Sequence, residues 1–150
     1  MRIRVLLMKP YRISPFLLAF LFICSSVSLA QENSPVEVVT LFTEGYGGPQ
    51  MDEIAEYTTP HFRDNKPKSV WVVDTWKALH QLKYQKLHSS IVDSKVSGDK
   101  AVVVTEAKIR TAAGEVTQKE IYYLVKQGER WLIDELQVTE EEMDLDKVQL

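Results

Sequence analysis

The side chains in this 150-residue sequence that could move a proton, hold a metal or attack a substrate are three histidines, one cysteine and a scatter of carboxylates. His61, His80 and His88 contain no i, i+4 pair of the kind that closes a helical zinc site. Cys24 is the only thiol and lies in an apolar run, so no tetrahedral Cys/His set can be assembled and no disulfide can form. His80 shares a helical face with Trp76, which suits a hydrogen-bonded core residue before it suits a general base. His88 alternates with Lys86 and Ser90 along a strand and reads as a surface residue. No Gly-x-Ser-x-Gly elbow, phosphate loop or dinucleotide fingerprint occurs, and Gly47-Gly48-Pro49 lacks the lysine of a phosphate cradle. No metal and no cofactor is expected.

Asp134 is the carboxylate that most invites chemistry. If Leu132, Leu136 and Val138 face inward, two-residue alternation brings Asp134 inward with them, where burial suits a carboxyl to general acid or base work. Tyr57, Trp76 and Tyr123 could then support it. In the competing register Trp131 and Ile133 are the core pair and Asp134 faces water. Aromatic residues in such positions serve packing more often than catalysis, and Phe42, Tyr57, Trp76, His80 and Tyr123 are expected to line whatever pocket exists.

The elements that must position these residues begin after an N-terminal segment of a different character. Residues 1–30 contain no Asp or Glu, carry Arg2, Arg4, Lys9 and Arg12, and run through Phe16 to Cys24 to small residues at Ser28 and Ala30. This is the three-part pattern of a secretory signal peptide, with cleavage expected before Gln31. A lipoprotein site at Cys24 is disfavoured by the bulky Ile23 before it, and an uncleaved anchor by an apolar stretch shorter than the roughly 20 residues of a span. The mature chain is therefore expected in the periplasm or outside the cell, with no membrane segment after cleavage. Losing four positive charges takes the formal net charge from −3 to −7. With no basic cluster beyond Lys66 and Lys68, nucleic acid is not an expected partner.

Ser34-Pro35-Val36-Glu37 spells a capping box with proline in the first turn, and Val38, Val39, Phe42 and Tyr46 follow at helical spacing until Gly45, Gly47 and Gly48. Met51, Ile54 and Ala55 suggest a second short helix that Pro60 stops. Residues 63–68 read as a polar connector. Val72, Val73, Trp76, Leu79 and His80 are expected to line the inner face of a third helix. From about Tyr84 the period becomes two, and turns at Ser97-Gly98-Asp99, Ala112 to Glu115 and Gln127-Gly128-Glu129 separate four strands of an antiparallel meander. Ala101, Val103, Thr105, Ala107 and Ile109 make one face of the second strand, and Ile121, Tyr123 and Val125 the expected matching face of the third. The first strand exceeds the usual length, so a bulge or bend is expected in it. Residues 139–150 carry five acidic side chains and little beyond Met143, Leu145, Val148 and Leu150 to bury, and read as a mobile acidic tail or a frayed helix.

Helices followed by a long bent strand and a meander, with Asp52-Glu53-Ile54 in the short second helix and Gly128, Trp131 and Ile133 in a Gly-x-x-Trp-x-Ile pattern, resemble the nuclear transport factor two-like superfamily. The resemblance spans roughly residues 34–138. It implies an α+β domain over 31–138, with N-terminal helices packed on a strongly curved four-stranded meander as a cystatin-like cone, a pocket between sheet and helices, and often a homodimer through the convex face. That superfamily includes isomerases, dehydratases and non-catalytic binding domains, so fold alone does not select among them. The absence of a catalytic motif favours a non-enzymatic exported domain that binds a small apolar ligand or a protein partner. The alternative is a cofactor-free lyase, isomerase or hydrolase using Asp134.

Overall fold

The computed structural model describes residues 33–139 and Leu145. The expected signal peptide, and the acidic tail apart from Thr139 and Leu145, lie outside the described residues. Helix α1 (Pro35–Gly45) starts as its sequence dictates: the Glu37 amide donates to Ser34 Oγ at 3.2 Å and the Ser34 amide to Glu37 Oε2 at 2.7 Å. Its inner face buries Val38, Val39 and Phe42. Its last residue must be glycine, because a Cβ on Gly45 would overlap the Ile54 side chain of α2 (Met51–Ile54). A 3-10 turn, Ala55–Tyr57, follows.

The connector after it is not simply polar. Arg63 is buried, and its Nη1 donates to the Thr58 carbonyl at 2.6 Å and to the Thr58 hydroxyl at 2.7 Å, which satisfies groups left open at the end of the 3-10 turn. Helix α3 (Lys68–Gln81) also corrects the expectation. Its inner stripe is Trp71, Val72, Thr75 and Leu79, while Val73, Trp76 and His80 face outward. Trp71 meets Phe62 edge-on at 5.9 Å, and Phe62 meets Phe42 at 5.5 Å. Apolar residues occupy both sides of this helix, so periodicity alone did not distinguish the stripe that meets the 3-10 turn from the one that meets water.

Strands β1 (Gln85–Ser97), β2 (Lys100–Thr111), β3 (Gly114–Gln127) and β4 (Arg130–Thr139) pair antiparallel in the order β1-β2-β3-β4. As its length predicts, β1 is irregular: the register shifts at Leu87 and again at Val92. The two-residue turn Ala112-Ala113 pairs odd positions of β2 with even positions of β3, as in Ala101 with Leu124 and Val103 with Tyr122. Tyr122 and Leu124 therefore face the helices, and the expected face of Ile121, Tyr123 and Val125 is the wrong one. Ile121 and Tyr123 lie on the other side of the sheet with Val102 and Val104, where Leu145 packs on them. The Leu145 carbonyl accepts from Lys95 Nζ at 3.1 Å.

Candidate functional site

Among the described residues, the inner face of the sheet carries one deeply buried carboxylate, Glu120, opposite Thr105 and 4% exposed. Its Oε2 accepts from Tyr122 OH at 2.7 Å, from Lys86 Nζ at 3.0 Å and from Thr105 Oγ1 at 3.4 Å, while Oε1 accepts from Gln118 Nε2 at 3.2 Å. Lys86 reaches it from β1, and its side chain is almost as buried as that of Glu120. The ammonium also lies 5.8 Å from the ring centre of Tyr46, at the C-terminal end of α1. Tyr84 packs edge-on against Tyr46 with centroids 5.9 Å apart. Two backbone features place Tyr84 there. Lys83 adopts a left-handed φ of 52° that ends α3, and Gly47, at φ 81°, leaves room for the Tyr84 ring 3.6 Å from where a Cβ would sit.

Burial, followed by the negative charge of Glu120, pushes the pKa values of Tyr46, Tyr84 and Tyr122 above the phenol's ordinary 10.0, and the hydrogen bond to Glu120 adds to the effect at Tyr122. All three stay protonated donors across the physiological range. Because the folded-state pKa values are raised, their stabilising contribution is complete below about pH 10 and is lost as the pH climbs above it. For Tyr122 the expected slope approaches about 1.4 kcal/mol per pH unit. Alkaline titration followed by tyrosinate absorbance and circular dichroism should show the Tyr122 phenol ionising only as the fold is lost, and Tyr122→Phe should flatten that limb. Ionisation of Tyr122 without unfolding would show that its hydroxyl is in free contact with bulk water.

Beside this network, between the C-terminal half of α1 and the first half of β1, runs an open cleft of about 660 Å³ bordered by Thr43, Glu44, Tyr46, Lys86 and Ser89. A second cavity of about 460 Å³ adjoins it across Tyr84 and Gln85 and is bordered by Trp76, His80 and Lys83. A third, also about 460 Å³, is bordered by Leu41, Glu53, Tyr57 and Arg130.

No protein-family model matches the sequence, and no curated protein does. Solved structures do. A SEC-C motif-containing protein from Rhodopseudomonas palustris superposes with a TM-score of 0.56 over 69% of this chain and 77% of its own, at 23% identity. A hypothetical protein from Catenulispora acidiphila with a ketosteroid isomerase-like fold, solved in complex with trimethylamine, gives 0.51 over 71% and 85% at 12% identity. A protein of a family of unknown function from Bacteroides ovatus gives 0.50 over 74% and 99% at 16% identity. This is the cone-shaped nuclear transport factor two-like fold.

The cone does not bring the sequence-predicted residues together. Phe42 is fully buried between Tyr46 and Tyr122, with centroids 5.4 and 5.8 Å away, and fills the cone where it was expected to line a cavity. Trp76 and His80 stack on the outside of α3 at the second cavity. Tyr57 borders the third, and Tyr123 lies on the far face of the sheet. Asp134 follows neither expected register. Trp131 and Ile133 are in the core, but Leu124 pairs with Ile133 and Tyr123 with Glu135, so Asp134 is the extra residue of a bulge and Leu136 returns to the inner face. There Asp134 Oδ1 accepts from the buried Thr59 hydroxyl at 2.6 Å, while the Thr59 amide donates to the Ile133 carbonyl at 2.9 Å. The carboxylate fastens the connector to β4. Asp134→Asn, which keeps Oδ1, should therefore cost less than about 0.5 kcal/mol, whereas Asp134→Ala should cost about 1 to 3 kcal/mol by stranding a buried hydroxyl. Chemical denaturation of the two variants checks this, and equal losses would contradict a purely hydrogen-bonding role.

The residues that sequence reasoning missed are Glu120, Lys86, Tyr46 and Tyr84. For Glu120 the signal was the turn length at Ala112-Ala113, which aligns Gln118, Glu120 and Tyr122 on the inner face once the register is counted outward from it.

Proposed function

We propose that the domain is a non-catalytic binding module, exported from the cell, whose cleft between α1 and β1 takes a small ligand with an apolar body and a hydrogen-bond acceptor. The observation that carries this is the internal engagement of Glu120. Oε2 accepts from Tyr122, Lys86 and Thr105 and Oε1 from Gln118, so this buried carboxylate is spent on an ion pair and hydrogen bonds within the fold, while Glu44, which borders the cleft, is solvent-exposed. The Tyr46 and Tyr84 rings supply apolar surface, and their protonated hydroxyls supply donors. A cleft of about 660 Å³ suits a small organic molecule.

The test is a nuclear magnetic resonance titration with small aromatic ketones, amides and ethers. Shifts are expected to centre on Tyr46, Tyr84, Lys86 and Ser89, and the Tyr46→Phe/Tyr84→Phe pair should weaken binding about tenfold, the loss of one good hydrogen bond. A turnover that Glu120→Gln abolishes without lowering the melting temperature would replace this reading with the enzymatic one.

A further inference from the structure

We infer that the outer side of α3 carries a second binding site, for a neutral saccharide, built on the stacked pair Trp76 and His80. Trp76 is 51% exposed, whereas the other two tryptophans, Trp71 and Trp131, are 8% and 6% exposed. The exposed indole is not loose. It lies nearly parallel to the His80 imidazole one helical turn on, with centroids 5.7 Å apart and an interplanar angle of 24°. Spacing of i, i+4 on a helix makes this a preformed aromatic platform.

A cavity of about 460 Å³ lies beside the platform, and the residues that leave α3 form its rim. Their backbone is pinned: the Lys83 amide donates to the His80 carbonyl at 3.1 Å and the Tyr84 amide to the Leu79 carbonyl at 2.9 Å. Among the described residues, no hydrogen-bond partner is found for the His80 ring nitrogens, the Lys83 ammonium or the Tyr84 hydroxyl. Gln85 engages only its carbonyl oxygen, with Arg110 at 3.4 Å. The result is a flat apolar surface edged by polar groups that are mostly donors.

A pyranose ring fits both halves of that description. One of its faces presents C–H groups that pack flat on an indole, and its rim presents hydroxyls that accept from Lys83, Tyr84 and Gln85 and exchange hydrogen bonds with His80. An apolar peptide would cover the indole but strand the surrounding donors without partners, at a cost for each. A nucleotide would stack equally well, yet it brings phosphate charge to a chain of net charge −3 with one lysine at this rim. The saccharide is the occupant that leaves nothing unpaired. The site adjoins the α1–β1 cleft, with Gly47, Tyr84 and Gln85 bordering both, and Trp76 and His80 belong to it alone.

Acrylamide quenching of tryptophan emission reads this site selectively, because Trp76 is the exposed indole. Titration of the protein with cellotriose, maltotriose or tri-N-acetylchitotriose should, for at least one of them, lower the quenching constant about twofold and shift the Trp76 indole N–H resonance. Trp76→Ala should weaken that binding at least about tenfold while leaving the melting temperature unchanged, and Trp76→Phe should retain it within about threefold. The inference is overturned if none of the three sugars protects the emission, if Trp76→Ala binds as well as the wild type, or if adenosine monophosphate binds more tightly than every sugar.

Discussion

Lys86→Met is expected to destabilise the fold by about 3 to 5 kcal/mol, the cost of leaving a buried carboxylate without its counter-ion. The side chains of Lys86 and Glu120 are 11% and 5% exposed and meet at 3.0 Å, unlike the surface pairs Lys66–Asp74 and Lys108–Glu115, whose members are 38% exposed or more. Pairs of the latter kind contribute about 0 to 1 kcal/mol. Methionine keeps most of the aliphatic stem against Tyr46, so the loss reports the charge and not the packing. Adding Glu120→Gln to Lys86→Met should restore part of the stability, because the stranded charge is gone. It should not restore all of it, because Tyr122, Thr105 and Gln118 then share a weaker acceptor. Urea denaturation of the two single variants and the double variant gives the coupling directly. A loss below about 1 kcal/mol for Lys86→Met would mean that water reaches Glu120 freely, and the case against catalysis by this carboxylate would weaken with it.

How far the sequence reveals this molecule depends on whether each feature is local. The start of α1 is local, because Ser34 and Glu37 find each other across one turn, and the box appears as written. The irregular β1 is nearly so, since its thirteen residues exceed the usual strand length, and the two register shifts at Leu87 and Val92 answer the expectation. The faces of α3 and β3 are not local. Residues 101–105 are buried on both sides of the sheet, so alternation in β2 has no phase, and the phase of β3 comes from the two-residue turn that joins them. Placing Tyr123 in the pocket was the consequence of missing that phase.

Asp134 shows a different limit. Both registers considered for β4 assumed unbroken alternation, and the bulge inserts a residue that belongs to neither face. Nothing in Leu132-Ile133-Asp134-Glu135 announces it. Its cause lies in Thr59, 75 positions earlier, whose hydroxyl and amide both bind to this point of β4. The Lys86–Glu120 network is hidden for the same reason, since its members come from β1, β2 and β3 and meet only after the register is set. Sites assembled from three strands are legible only after each pairing has been counted.

Trp131→Ala should cost about 3 to 5 kcal/mol, the range for deleting a buried large aromatic. Trp131 opens β4, is 6% exposed and packs in the core that joins Ile133, Leu124 and the inner face of α1. Lys126, its partner across the β3–β4 pair, holds its ammonium 5.8 Å from the ring centre, an attraction that truncation also removes. Trp76→Ala, by contrast, should move stability by no more than about 0.5 kcal/mol, because half of that side chain already meets solvent and its one ring partner is itself exposed. The pair makes a comparison of burial: the same chemical deletion at a half-exposed helical tryptophan and at a buried strand tryptophan. Equilibrium denaturation of both variants with a common slope would establish the difference as one of native packing. Were Trp131→Ala to lose less than about 1 kcal/mol, Trp131 would have to face outward, and the pairing of Lys126 with Trp131 and Leu124 with Ile133 would need to shift by one residue.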